Sequence, residues 1–244
     1  MKILFLGKDN RYDVLIDNLK NKYDIYGLGY GYRKDIKVGD ISNISNYDII
    51  VLPMSGFQNN KVDIFTLPSN FFDNFKGIIY TGLKGNLKGN VISFLSDSDI
   101  VLENTKITVD GIIDKISNIS IENVCILGYG NIGSILYDKI NDKYNVYVGV
   151  NKDVNIKNSF KTDNYNDMKK ILLNSDIIIN TVPSHIIPDS ILQEIKCYFL
   201  DVASYPYAIN KEDINNYSFK YELYSQIPSK YDPKRAGKIL LKKF

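Results

Sequence analysis

Gly128-Tyr129-Gly130-Asn131-Ile132-Gly133 is the stretch whose residue types and spacing commit this sequence most clearly to a chemistry. It follows the apolar run Val124–Leu127 and opens a helical pattern from Ile132 to Ile140, with a second strand-like run from Asn145 to Val150. In a strand–turn–helix–strand unit of this kind, Gly128 permits the tight turn, Gly130 lets the backbone approach a pyrophosphate, and Gly133 lets helix and strand pack closely. The first helical residues, Asn131 and Ile132, bring unpaired N–H groups and a partial positive charge to the phosphates. The fingerprint expects an acidic residue at the tip of the second strand, about 20 residues on, to hold the ribose 2′-hydroxyl of NAD. This sequence has Asn151-Lys152-Asp153 there, and Asn151 with Lys152 can receive a 2′-phosphate instead. That favours NADP, with NAD as the alternative if Asp153 turns inward.

Two further sets of residues stand where α/β proteins do chemistry, at strand ends. Asp176–Val182 reads as a buried strand stopped by Pro183, and the segment after such a strand lies beside the nicotinamide, which makes Thr181, Val182 and Pro183 expected ring contacts. His185, the only histidine, follows at once and is the one side chain whose type titrates near neutrality, which invites a general-base role. A surface or packing role is the competing reading, because no acidic partner for it can be picked out. In the first half, Arg11 stands between a strand end and a helix start, where its fork can grip a carboxylate, and Ser55 and Thr81-Gly82 close two other strands.

The elements that must position these groups alternate along the chain. Strands are expected at 2–6, 23–28, 48–53, 77–81 and 99–102, with an amphipathic helix at 12–19. A helix capped by Thr105 or Thr108, with Asp110 in its first turn, runs to about Ile116 as a bridge. In the second half come the strands 145–150, 176–182, 198–203 and 219–223, with helices at 165–173 and 190–195. The loop 151–164 carries no core signal, and Pro233 opens a terminal basic amphipathic helix. The expected fold is α/β, two Rossmann-like parallel-sheet domains joined by a bridging helix, with the C-terminal helix packing back on the first domain. The boundaries are 1–104 for an N-terminal substrate-side domain, 105–118 for the bridge, 119–228 for the dinucleotide-binding domain and 229–244 for the returning helix. No internal repeat is visible.

Composition narrows the function classes. A chain of 244 residues with 44% hydrophobic and 24% charged residues can bury a core, and 30 basic against 28 acidic residues leave no footprint for nucleic acid. No apolar run reaches the ~18 residues of a membrane span, so a cytoplasmic protein with no membrane partner is expected. One histidine and two distant cysteines, Cys125 and Cys197, offer no metal cluster. Self-association is left open.

Four segments of the second half resemble the A-type subunits of the dipicolinate synthase family: Leu127–Gly133, Ile179-Asn-Thr-Val-Pro-Ser184, Leu200-Asp-Val-Ala-Ser-Tyr-Pro206 and Ile227–Gly237. Gly7-Lys-Asp-Asn-Arg11, Ile50–Ser55 and Thr108-Val-Asp-Gly111 fall where that family has similar motifs, so the resemblance spans nearly the whole chain, as that of a divergent and shortened member. It departs from the family at Asn131, where Arg is usual, at Tyr207-Ala208, which replace Gly-Gly, at Gln226 and Ser229, which replace glycines, and at Asp110, where Glu is usual. The resemblance implies an NAD(P)-dependent oxidoreductase of dipicolinic acid biosynthesis, converting 4-hydroxy-tetrahydrodipicolinate or its dihydro form to dipicolinate in the mother cell of a sporulating bacterium. It further implies a flavoprotein-like B-type subunit as partner. Under it, Asp110, Asp201 and His185 are base candidates, and the two substrate carboxylates are met by Arg11, Ser55, Thr81, Gly82 and Ser204 with Lys230, Lys234 or Arg235. The rival expectations are another two-domain dehydrogenase of small oxo, hydroxy or amino acids, and a non-catalytic nucleotide-binding subunit.

Overall fold

Residues 1–244 are described by a computed structural model, in which the chain forms two compact units, Met1–Asn104 with Pro228–Phe244, and Thr105–Ile227. The first unit is built on β1 (Lys2–Leu6), α1 (Tyr12–Leu19), β2 (Asp24–Leu28), β3 (Lys37–Val38) and β4 (Ile49–Val51), then a hairpin of β5 (Lys61–Val62) and β6 (Phe65–Thr66), then β7 (Ile78–Thr81) and β8 (Asn90–Ser93). Its parallel sheet has the order β3-β2-β1-β4-β7-β8. Ile3, Leu4, Phe5 and Leu6 are all fully buried, because β1 lies at the sheet's centre with apolar cover on both faces. In α1, Tyr12, Leu15, Ile16 and Leu19 form the buried stripe that helical periodicity demands.

The second unit repeats this plan. After α2 (Ser98–Ile116) come β9 (Asn123–Leu127), α3 (Asn131–Ile140), β10 (Asn145–Val150), β11 (Ser159–Lys161), α4 (Tyr165–Leu173), β12 (Ile177–Asn180), α5 (Asp189–Leu192), β13 (Tyr198–Asp201) and β14 (Tyr221–Leu223). Its parallel sheet runs β11-β10-β9-β12-β13-β14, so all six strands take the same places in chain order as in the first sheet. The chain therefore does contain an internal repeat, one of architecture that residue identity conceals. A carboxylate marks it: Asp48, just before β4, accepts the backbone N–H of Lys2 at 2.7 Å, while Asp176, just before β12, accepts those of Glu122 and Asn123 at 2.9 and 2.8 Å. Each carboxylate ties the start of its unit's central strand to the start of the neighbouring one.

The two backbone donors hold the Asp176 carboxyl below its usual range. A depressed carboxyl contributes stability that is present above its unfolded value, about 3.9, and is lost as pH falls through the folded one. Asp176→Asn is therefore expected to flatten the acid-side loss of stability of the second unit below about pH 4, measured as urea midpoints across pH.

The chain closes with α6 (Ile227–Tyr231) and α7 (Pro233–Leu240). Asp232 caps α7 by accepting the N–H of Arg235 at 3.0 Å, and Pro233 occupies its first turn. This helix packs against α1 so closely that a Cβ on Gly237 would lie 2.3 Å from the Arg11 carbonyl oxygen. Phe244 then stacks on Tyr80 with ring centroids 4.5 Å apart, so the C-terminus is part of the first unit. No helix is long and apolar enough to cross a membrane.

Local patterning misplaces three elements. The run 99–102, expected as a strand, is the first turn of α2, where Ile100 is fully buried and Leu102 is 46% exposed, a one-sided pattern that a central strand does not show. The sheet is completed instead by two strands that patterning does not show, β3 at one edge and β8 at the other. Thr105 and Thr108 lie inside α2 and are not its caps, and Asp110 is likewise mid-helix; Asp97 fills the capping role by accepting the N–H groups of Asp99 and Ile100. Loop 151–164 contains β11, a short edge strand with one buried residue, Phe160, which is too little signal for a periodicity to register.

Candidate functional site

β9 ends at Leu127, and the chain turns at Gly128 with φ +100°, a left-handed conformation that glycine adopts freely. The Gly128 N–H donates to the Gly149 carbonyl at 2.9 Å, and a Cβ at Gly128 would lie 2.5 Å from Thr181 Oγ1. Gly133 sits behind the turn, where a Cβ would come within 2.0 Å of the Gly128 oxygen; α3 can approach β9 only without a side chain there. Gly130 is different, since a Cβ on it would meet nothing within 4 Å. The first position of the motif is fixed by backbone shape and the last by packing. The middle one faces open space where a ligand's backbone-hugging group fits.

That space is a cavity of about 660 Å³. It gathers Gly128, Gly130, Asn131 and Ile132 from the turn, Asn151 and Lys152 from the β10 tip, and Thr181, Val182 and Pro183 from the segment after β12. These three groups of residues, far apart in sequence, meet at one sheet edge because β9 is flanked by β10 and β12. Thr181 is anchored there by its own hydroxyl, which donates to the Leu127 carbonyl at 2.8 Å. The N-terminal amides of α3 have no intrahelical acceptors and supply donors for an anion. Cavity size, bare glycine and helix terminus together fit a dinucleotide.

At the β10 tip Asp153 also lines the cavity, but its carboxylate is ion-paired. Asp153, with a side chain 98% exposed, pairs with Lys161 at 2.7 Å, and that hydrogen bond holds its carboxyl below the usual range. Lys161 reaches it from β11, which pairs with β10 in parallel. Sequence reading missed this, and also missed Thr162 and Ile186 as cavity-lining residues; Thr162 follows the strand that carried no signal, and Ile186 lies one residue beyond His185.

Asp201 is fully buried at the end of β13 and accepts four hydrogen bonds. Asn180 Nδ2 and the Ala203 N–H reach Oδ1 at 2.9 and 3.1 Å; the Ala208 N–H and the Tyr221 hydroxyl reach Oδ2 at 2.7 and 2.9 Å. With every lone pair used, Asp201 is a clamp for the loop 202–208 and has no capacity left for proton transfer, contrary to its expected role as a base. Asn180 extends the clamp, since its amide also bonds both the N–H and the C=O of Val182. Asp110 is ion-paired to Lys139 of α3 at 2.7 Å, so it too is engaged and is not a free base. His185 is exposed, with Nδ1 2.9 Å from the Ala208 carbonyl oxygen.

The expected carboxylate-binding residues of the first unit are also largely engaged. Arg11 uses its fork on Asp9, Nε and Nη2 meeting Oδ1 and Oδ2 at 2.7 and 2.6 Å, and both side chains are about nine-tenths buried. It is a structural pair rather than a bidentate clamp waiting for a ligand, and Asp9, only two residues away, was not singled out from the sequence. The Thr81 hydroxyl donates to the Leu83 carbonyl, and Gly82 is pressed against the Met54 backbone, so both serve packing. Arg235 pairs with Glu103. Ser55, Ser204, Lys230 and Lys234 are at least partly exposed.

No group of three or more His, Cys, Asp or Glu side chains is placed to hold a metal ion. No family model matches the chain. It is 26% identical over 282 aligned positions to the dipicolinate synthase A-type subunit of Bacillus subtilis (strain 168), covering 98% of this chain and 93% of that protein. This chain is similar to the A-type subunit of dipicolinate synthase. The crystal structure of the dipicolinate synthase A-type subunit from Bacillus halodurans superposes with a TM-score of 0.81 at 21% identity, over 99% of this chain and 95% of that one. D-2-hydroxyisocaproate dehydrogenase follows at 0.55 and 11%, over 98% and 93%, so the fold is that of the two-domain dehydrogenases. Tyr207 and Gln226, two positions that the sequence resemblance marks as departures from glycine, have left-handed backbone, with φ +67° and +59°. Such turns cost a non-glycine residue about 1 kcal/mol or more.

Proposed function

We propose that this chain is an NADP-dependent oxidoreductase subunit that converts 4-hydroxy-tetrahydrodipicolinate, or its dehydrated dihydro form, to dipicolinate. The observation that carries the reading is the cavity at the β9–α3 turn, shaped by Gly128, Gly130 and Gly133, in a chain similar over 98% of its length to the A-type subunit of dipicolinate synthase. A bound nicotinamide supplies the hydride acceptor there, and the gain of an aromatic ring drives the transfer. The chain's own work is positional. The amides opening α3 meet the pyrophosphate, Asn151 and Lys152 meet the 2′-phosphate, and Thr181, Val182 and Pro183 flank the nicotinamide. Ser204, exposed on the loop that Asp201 clamps, offers a hydroxyl to a substrate carboxylate.

The pairing of Asp153 with Lys161, which offsets its charge, and Lys152 beside it in the cavity lining support NADP over NAD. NADPH is expected to bind at least about tenfold more tightly than NADH, a difference of about 1.4 kcal/mol. Lys152→Ala should remove most of that preference while sparing NADH, as read by calorimetric titration with each nucleotide. Equal affinities in the native protein would remove Lys152 from this role.

The deciding experiment supplies substrate in place with dihydrodipicolinate synthase and follows NADPH formation and dipicolinate absorbance together, with and without a flavoprotein-like B-type subunit. Both signals are the expected result, in keeping with a role in the mother cell of a sporulating bacterium. A second reading, a nucleotide-binding subunit without chemistry of its own, is favoured by the engagement of Asp110 and Asp201 in ion pair and clamp. Nucleotide binding with neither signal, the flavoprotein-like partner present, would select it, and a screen of small oxo and hydroxy acids separates both from a different dehydrogenase.

A further inference from the structure

His185 lies between Pro183 and Ile186, both of which line the nucleotide cavity, and so sits directly beside that wall. Its ring is tethered at one nitrogen only. The Ala208 carbonyl 2.9 Å from Nδ1 can only accept, so in the neutral ring Nδ1 carries the proton and Nε2 keeps a bare lone pair. No other hydrogen bond engages the ring, and the residue is exposed.

The tether is itself held in place. Ala208 donates its N–H to buried Asp201 at 2.7 Å, and Asp201 also takes the amide of Asn180, which fixes both backbone groups of Val182. One carboxylate thus fixes the residue that orients the imidazole and the cavity wall beside it. Its tautomer set by a rigid acceptor and its free nitrogen beside a nucleotide cavity, His185 is oriented as a general base is.

We propose that His185 is the general base of this site, taking a proton at Nε2 from a cyclic imino dicarboxylate as the ring is oxidised. The inference rests on the dehydrogenase reading above. In the step, a ring C–H bond breaks and its hydride leaves with the electron pair for the oxidised nicotinamide. A second ring hydrogen leaves as a proton, its bonding electrons complete the aromatic system, and a new N–H bond forms at Nε2. The substrate is oxidised by two electrons, the nicotinamide is reduced by two, and the imidazolium returns its proton to solvent.

The test compares His185→Asn with His185→Ala in the full-length protein. Asparagine keeps an N–H donor for the Ala208 carbonyl and removes the base. Its kcat should fall about 100-fold or more, with nucleotide affinity and thermal midpoint unchanged, and imidazole in solution should restore part of the rate to His185→Ala. A readout independent of turnover comes from the histidine's being the only one in the chain. Its ¹⁵N spectrum should show the Nδ1–H tautomer, and pyridine-2,6-dicarboxylate added to the NADP-loaded protein should shift the Nε2 resonance. An Nε2–H tautomer, or turnover by His185→Asn at the native rate, overturns this inference alone. Absence of turnover by the native protein with nucleotide bound overturns both this inference and the dehydrogenase reading.

Discussion

Gly133→Ala is expected to cost the second unit about 2–3 kcal/mol, whereas Gly130→Ala leaves the thermal midpoint where it is and lowers nucleotide affinity by about tenfold or more, at least 1.4 kcal/mol. Both residues belong to one motif, and what a methyl group would meet at each separates them. At Gly133 the new Cβ would stand 2.0 Å from the Gly128 carbonyl oxygen, a backbone atom that cannot rotate away, so α3 must move off the β9 turn. A unit whose core includes Leu136 and Ile140 from that helix loses packing when it moves. At Gly130 the Cβ would meet no protein atom within 4 Å, so folding is indifferent to it, and any effect falls on what occupies the space. Paired thermal melts and calorimetric titrations with NADPH decide the matter. Native affinity in Gly130→Ala would mean that the pyrophosphate does not lie against that glycine, and would withdraw the main support for the nucleotide site.

Asp201→Ala is expected to be the most damaging single change in the second unit, at about 4 kcal/mol or more. It leaves two backbone N–H groups, a side-chain amide and a tyrosine hydroxyl without their acceptor in a place that water does not reach. Each buried unsatisfied group costs about 1–3 kcal/mol, and relaxation of the loop 202–208 recovers only part of the sum. Asp201→Asn should be nearly as harmful despite its matched shape. Two donors face each carboxylate oxygen, so an amide in either orientation turns its NH₂ toward two of them. Urea unfolding gives the stability loss, and hydrogen exchange at the Ala203 and Ala208 amides should quicken in both variants. Because Ala208 carries the His185 tether, a loss of activity accompanying intact stability would instead mark Asp201 as part of the chemistry.

How far the sequence could be read follows from how local each signal is. Strand β1 and helix α1 announce themselves because the residues that define their burial patterns are neighbours in the chain. The glycine motif is legible for the same reason, since turn, open space at Gly130 and helix packing are all decided within six residues. The start of α2 was not, because Asp99-Ile-Val-Leu102 has an apolar run that both strand and helix accept, and only its neighbours in space show that a single face is covered. The repeat of one sheet order in two units was invisible because topology constrains which positions are apolar far more than which apolar residue fills them.

By itself the amino-acid sequence determined the two-unit α/β architecture, the place of the glycine-rich turn, and the resemblance to dipicolinate synthase, all of which rest on contiguous patterns. Only the tertiary structure decided which polar groups are free. Arg11 and Asp201 look alike in sequence as reactive groups at strand ends, yet one is paired by Asp9 and the other is filled by donors that include residues 20 and 21 positions away, Tyr221 and Asn180. Asp153 is taken up by Lys161 because two strands lie side by side. His185 keeps one open nitrogen because a distant loop occupies the other. A charged or polar side chain declares its chemistry by type, but its availability depends on whether a partner is within hydrogen-bond reach, and such partners are brought there by the fold.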